Sequence, residues 1–208
     1  MTEGDGSVAT LGAMAAEGDA YPDELEVEAD EAREKAQNEV RRRLALAQIR
    51  QYPDAVLRMR AHEVERFDEP LARLAERMTE LMHDARGVGL AATQVGVLQR
   101  LFVFQADEED EVRAVVNPQI TARSEETESG DEGCLSLQGV LVPVERSVTV
   151  TLEGQDLEGK PLRLELEELP ARVVQHELDH LDGTLMIERT DPESRREALA
   201  TLRRRPSL

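Results

Sequence analysis

The chain has 208 residues, a formal net charge of −19, no Trp, two Tyr, three Phe and a single Cys. Acidity on this scale excludes a nucleic-acid-binding surface over the whole molecule, direct DNA binding included, and one cysteine excludes an intrachain disulfide framework. No run approaches the roughly 18 apolar residues of a membrane span, and Met1-Thr2-Glu3-Gly4-Asp5 resembles neither a signal peptide nor an acid-poor transit peptide, so no membrane association and a cytoplasmic location are expected.

In chain order, residues 1–23 carry Gly, Ala, Asp and Thr without periodicity and are expected to be disordered. From Asp23 to Arg50 the composition turns helix-forming, acidic early and Arg41-Arg42-Arg43 late, which suits a helix dipole. Residues 1–44 hold twelve acidic and five basic side chains, a net −7, and read as an appended solubilising arm, with a specific docking arm as the alternative. Tyr52-Pro53-Asp54 marks a turn. Asp68 is the expected N-cap of a helix with Pro70 in its first turn, and Leu71, Leu74, Met78, Leu81 and Met82 form its core stripe, ending near Arg86-Gly87. Gly87-Val88-Gly89 lacks the further glycine and the Lys-Ser/Thr of a phosphate loop. These glycines are read instead as room for a substrate backbone, with the Gln94 amide as a nearby donor.

Strands are expected at 101–104 and 112–116 around the acidic turn 107–111, then at 140–144, 148–152 and 162–166, with Glu158-Gly159 turning the last pair. Residues 123–132 read as a polar loop that delivers Cys134. A helix follows from Glu168 to Leu181. The pattern is that of an α+β domain at 45–190, antiparallel strands around a central metal-binding helix, between the extension at 1–44 and a basic helix or tail at 191–208.

That central helix carries Gln175-His176-Glu177-Leu178-Asp179-His180. Residues four apart share a helix face, so the imidazoles of His176 and His180 can grip one ion, while Glu177 can take a proton from a water activated there. A catalytic site needs a third ligand and an open position. The His-x-x-Gly-x-x-His continuation of one protease class fails, because Met186 stands where the last His should be. Glu188, Glu193 and Glu197 are compatible with a gluzincin-type endopeptidase. Cys134, in Asp131-Glu132-Gly133-Cys134-Leu135-Ser136, would complete a site of one sulfur and two nitrogens with one vacancy. His62 and His83 read as ordinary surface or helix-end histidines.

Three segments together resemble the peptide deformylases: Gly87-Val88-Gly89-Leu90-Ala91-Ala92-Thr93-Gln94, Glu132-Gly133-Cys134-Leu135-Ser136 and Gln175-His176-Glu177-Leu178-Asp179-His180. The resemblance covers about residues 45–190, with Tyr52-Pro53-Asp54, Asn117-Pro118 and Asp182-Gly183 also in place. It implies a hydrolase that removes the N-formyl group from the initiator methionine of nascent chains and releases formate. By the same resemblance, Cys134, His176 and His180 hold one divalent ion, Fe²⁺ in the cell, with Zn²⁺, Ni²⁺ or Co²⁺ able to replace it in purified protein. Glu177 would be the general base, and Gln94 with the Leu135 N–H would stabilise the oxyanion. Backbone at Val88, Gly89 and Gly133 would pair with the peptide as an added strand.

Leu137-Gln138-Gly139 departs from the family, which usually has a proline before this glycine, and predicts a loop that is looser or differently shaped. The readings left beside the deformylase are the gluzincin-type endopeptidase and a metal-containing interaction protein without turnover. Asp191 to Arg205 opens with helix-start chemistry and ends basic, as a solvated helix or as a contact for ribosomal RNA.

Overall fold

The computed structural model describes residues 22–107 and 109–204. The chain divides into two units, 1–37 and 38–208. The segment expected to be disordered, 1–23, lies outside the described residues except for Pro22 and Asp23, which begin helix α1 (Pro22–Gln48). In the first unit the described part is helical and exposed from Glu26 to Gln37, with an Arg33–Asp30 ion pair along its surface.

The second unit is built on a five-stranded antiparallel sheet in the order β1-β2-β3-β6-β7: β1 (Gly89–Ala91), β2 (Leu101–Phe104), β3 (Arg113–Arg123), β6 (Thr149–Gln155) and β7 (Pro161–Glu167). Between β3 and β6 in sequence, β4 (Thr127–Gly133) and β5 (Leu141–Ser147) form a separate two-stranded sheet. Helix α2 (Glu69–Asp84) starts where expected: the Asp68 carboxylate accepts from the Leu71 N–H at 3.3 Å, with Pro70 in the first turn. Helix α3 spans Glu168–Leu181, and α4 spans Pro192–Arg203.

Strand β2 shows how the core is divided. Its four residues, Leu-Phe-Val-Phe, are all buried, and alternate side chains must point to opposite faces. Leu101 and Val103 join Leu71, Met78 and Met82 of α2 together with Ala45, Leu46 and Ile49 from the end of α1. Phe102 and Phe104 point the other way, edge to face at 5.9 Å, into a cluster with Val173, Val174 and Leu181 of α3. Full burial of each such side chain contributes about 1.5–3 kcal/mol, so this short strand fastens both helices to the sheet. A third cluster, Leu57, Leu137, Val142, Val144, Leu185, Met186 and Ile187 with Ala198 of α4, supports the β4–β5 sheet.

Three sequence expectations are corrected. Residues 123–132 are not a loop: Thr127–Gly133 pairs residue for residue with Ser147–Leu141. The strand expected to end at Val116 continues to Arg123 through a register shift at Asn117-Pro118, where the ladder is interrupted and a proline without an N–H is tolerated. Gly89–Ala91, read only as a glycine-rich segment, is an edge strand paired with β2. The β6–β7 turn is as expected, with Gly159 at φ 80° and the Asp156 carboxylate accepting from the N–H groups of Glu158 and Lys160.

Candidate active site

Helix α3 presents His176, Glu177 and His180 beneath the sheet, and the connection from β4 to β5 brings Cys134 to them. The ligand-type atoms of Cys134, His176 and His180 lie within 4.8 Å of one another. Cys134 Sγ stands 3.2 Å from His180 Nε2, and the two imidazole rings are 4.9 Å apart at 74°. A tetrahedral ion with Zn-type bond lengths separates a sulfur and a nitrogen ligand by about 3.5 Å. This donor set therefore fits one divalent ion. His180 Nδ1 is buried without a hydrogen-bond partner, and His176 uses Nδ1 toward Glu132 at 2.9 Å, which leaves Nε2 for the ion. Among the described residues no other cluster of His, Cys, Asp or Glu has this geometry. The downstream glutamates have other roles: Glu188 accepts from Arg58 at 2.7 Å and from the Leu185 N–H, and Glu193 and Glu197 are exposed on α4. His83 bonds Gln105 and His62 is exposed, as expected of histidines outside the site.

Glu177 is 4% exposed, and its Oε2 has no hydrogen-bond partner among the described residues. Burial pushes its carboxyl up to about 7, against the opposing pull of His176. A buried carboxyl with a pKa near the working pH is suited to passing a proton in both directions. Gly89 packs against Glu177: a Cβ on the glycine would collide with the carboxylate, so the strand can lie this close only as glycine. Burial pulls His180 down and keeps it neutral, as a ligand must be. Burial also opposes charge on His176, but the Cys134 sulfur and the Glu132 carboxylate prevail and raise it. Those two groups attract positive charge to the position between the ligands.

Glu132 is the hub of a buried ionic network. Arg146 grips it with two bonds of 2.9 Å and reaches Asp179 at 2.6 Å. Arg172 adds a bond of 3.1 Å to Glu132, and Arg189 clamps Asp179. Burial alone would raise the Glu132 carboxyl, but Arg146 and His176 hold it down at about 2. The network fixes the His176 tautomer and ties α3 to both β4 and β5. Removing one partner of such a pair strands a buried charge and costs about 3–5 kcal/mol. The sequence reading quoted Glu132 and Asp179 within its motifs without giving them a role. An acidic residue beside each ligand was the available signal, because a metal-bound histidine commonly donates its other N–H to a carboxylate.

The expected site residues Val88, Gly89, Gln94, Gly133, Cys134, Leu135, His176 and Glu177 line one cleft of about 500 Å³. His180 stands behind it, 1% exposed. The Gln94 amide N–H₂ donates to Ser136 Oγ at 3.1 Å and lies 3.6 Å from Cys134 Sγ, while its Oε1 accepts from the Ala91 N–H. The loop beyond Cys134 is tied down: Gln138 donates to Gln51, which donates to the Leu135 carbonyl, and Leu137 is fully buried. Gln138, the residue on which a looser loop was expected, thus tethers it.

A helix that offers two imidazoles and a buried carboxyl to a thiol at the foot of a cleft is the arrangement of a metallohydrolase. Residues 46–196 match the polypeptide deformylase family. The chain is 47% identical over 162 residues to peptide deformylase 1 of Corynebacterium efficiens, covering 77% of this chain and 96% of that protein. It is 49% identical over 147 residues to the peptide deformylase of Thermotoga neapolitana, covering 71% and 88%. The fold is similar to the crystal structure of the Legionella pneumophila peptide deformylase (TM-score 0.71, 39% identity, 76% and 98% covered). It is equally similar to that of the Synechococcus elongatus enzyme in complex with actinonin (TM-score 0.71, 38% identity, 74% and 85% covered). The chain belongs to the polypeptide deformylase family. It is accordingly a metal-dependent hydrolase acting on N-formylmethionyl peptides. No described helix is long and apolar enough to cross a membrane.

Proposed function

We propose that this chain removes the formyl group from nascent N-formylmethionyl polypeptides with Glu177 as the proton-transferring group and Cys134, His176 and His180 as the metal ligands. The observation that carries this reading is the unpartnered, 4% exposed carboxyl of Glu177 set against Gly89 beside the Cys-His-His cluster. A divalent ion bound there would supply Lewis-acid chemistry, acidifying water and polarising a carbonyl. Glu177 accepts the proton of the attacking water and returns it to the leaving amine. The Gln94 amide and the Leu135 N–H face the developing oxyanion.

The peptide adds to the open edge of β1. The Val88 carbonyl accepts from the Gln105 N–H on the β2 side, and Ala91 directs its N–H away from β2 to Gln94. Backbone groups alternate along a strand, so Gly89 turns its N–H and C=O to the open edge. Gly133 lines the facing side of the cleft, and Leu135, Leu169 and Val173 offer apolar surface to a methionine side chain. A formyl carbon bears only hydrogen, and the contact between Gly89 and Glu177 leaves little room for a larger acyl group.

One sulfur and two imidazole nitrogens suit Fe²⁺ and Zn²⁺. Fe²⁺ is our assignment for the cell, with Zn²⁺, Ni²⁺ or Co²⁺ as replacements. A reducing cytoplasm would protect Cys134, whose partial exposure leaves it open to oxidation. Protein loaded with Fe²⁺ under anaerobic conditions should release formate from a short N-formylmethionyl peptide; one ion bound per chain with no formate released would end the proposal. Helix α4 exposes Arg195, Arg196 and Arg203, and Arg204 caps its end, which supports contact with ribosomal RNA phosphates. Deleting residues 192–208 should abolish salt-sensitive co-sedimentation with ribosomes, and unchanged co-sedimentation would refute that contact.

A further inference from the structure

The substrate cleft is lined in part by two arginines that the chemistry above does not use, Arg42 near the end of α1 and Arg86 just beyond α2. Arg86 is exposed, adopts a left-handed backbone (φ 58°), and forms no ion pair among the described residues. Arg42 has a buried Nε without a hydrogen-bond partner among the described residues, and its only ion pair there is a long one, Nη1 to Glu39 at 4.0 Å. The third arginine of the cleft, Arg172, is already committed to Glu132 and to backbone carbonyls of β4 and β5. One unpaired and one weakly paired guanidinium group thus share a cleft on a chain of net charge −19.

The place of Arg86 along the cleft follows from β1, and Arg42 lines the same cleft. Glu177 contacts Gly89, and beyond the end of β1 the chain turns through Ala92–Val95 to place Gln94, which reaches Cys134; the reacting end is therefore at this side. A peptide with its formylated end there runs out past Gly89 toward Gly87 and Arg86, at about 3.3 Å per residue. Arg86 stands in the turn that precedes β1 and lines this stretch of the cleft, within reach of the second or third residue of the substrate.

We infer that Arg42 and Arg86 select for nascent chains with Asp or Glu among the two residues that follow the formylmethionine. This rests on the deformylase reading of the same cleft. Asp131, exposed on β4 and also lining the cleft, is the group that would oppose it.

The test compares kcat/KM for C-terminally amidated formyl-Met-Ala-Ala with its Glu and Lys counterparts at the second and third positions. Wild-type protein should favour a Glu peptide over the Ala peptide about two- to fivefold, as expected for exposed ion pairs. Salt at ~0.5 M should erode the preference. In the R42Q/R86Q double variant the Glu-to-Ala ratio should fall to about one; as a ratio, it is insensitive to a general loss of activity. Formate from all peptides at equal kcat/KM would overturn this inference and leave the deformylase reading intact, whereas no formate from any would overturn both. A preference for Lys would assign selection to Asp131, and a Glu preference that survives in the double variant would remove the arginines from it.

Discussion

Glu177→Gln should lower kcat for formate release by about 10²–10⁴-fold, the range for a positioned general acid–base group. The replacement keeps the shape of a side chain that is 4% exposed and packed against Gly89, so the cleft and the ligands should stay in place. What is lost is the carboxyl that moves the proton. In the wild type, activity should rise with pH as Glu177 deprotonates. The midpoint should lie at or below about 7, because a nearby cation favours the carboxylate. The variant should lose this acid limb.

Stability should move in the opposite direction. Glu177 keeps its proton to higher pH in the folded chain than an ordinary glutamate at 4.5, so metal-free protein loses stability as pH rises from about 4.5 to about 7, and the loss persists above. Gln carries no such penalty, and metal-free Glu177→Gln should be more stable than wild type at pH 8, by an amount on the order of 3 kcal/mol. Steady-state kinetics with matched metal content, beside denaturant titrations of the metal-free proteins, measure both effects. A kcat within tenfold of wild type would remove Glu177 from the mechanism.

Cys134→Ala should reduce bound metal from one ion per chain to less than about a tenth after dialysis, and activity should fall with it. Two imidazoles alone leave a divalent ion short of a ligand, and the thiolate is the only anionic member of the set. The fold should survive, because Cys134 is half-buried at the edge of its cluster and loses little volume as alanine. Thermal unfolding with and without added metal provides the control. A ligand at 100 times its Kd stabilises the native state by about 2.7 kcal/mol, so wild type should show a raised Tm and the variant none. Full metal content and activity in the variant would mean that another side chain closes the site.

How much of this was legible beforehand differs from element to element. Helix α3 runs from Glu168 to Leu181 as its pattern predicts, and the stripe of α2 is core at every position except the partly buried Leu74. Both helices bury one face, and that requirement is written into residue spacing. Strand β4, Thr-Glu-Ser-Gly-Asp-Glu-Gly, was read as a loop because it has no apolar alternation. Its order comes from pairing with β5 and from Arg172, which bonds the carbonyls of Glu128 and Gly130 from α3. Such partners are remote in sequence.

By itself the sequence determined the family and the helix that carries His176, Glu177 and His180, since motif spacing is a local property of the chain; Cys134 was legible as the lone cysteine in a segment that resembles the family. Tertiary structure alone decided the rest: the Glu132–Arg146–Asp179 network that orients His176, the Gly89 contact against Glu177, and the position of Arg42 and Arg86 in the cleft. The physical reason is that hydrogen bonds and burial depend on distance in space. Glu132 and His176 are 44 residues apart in the chain and 2.9 Å apart once it is folded.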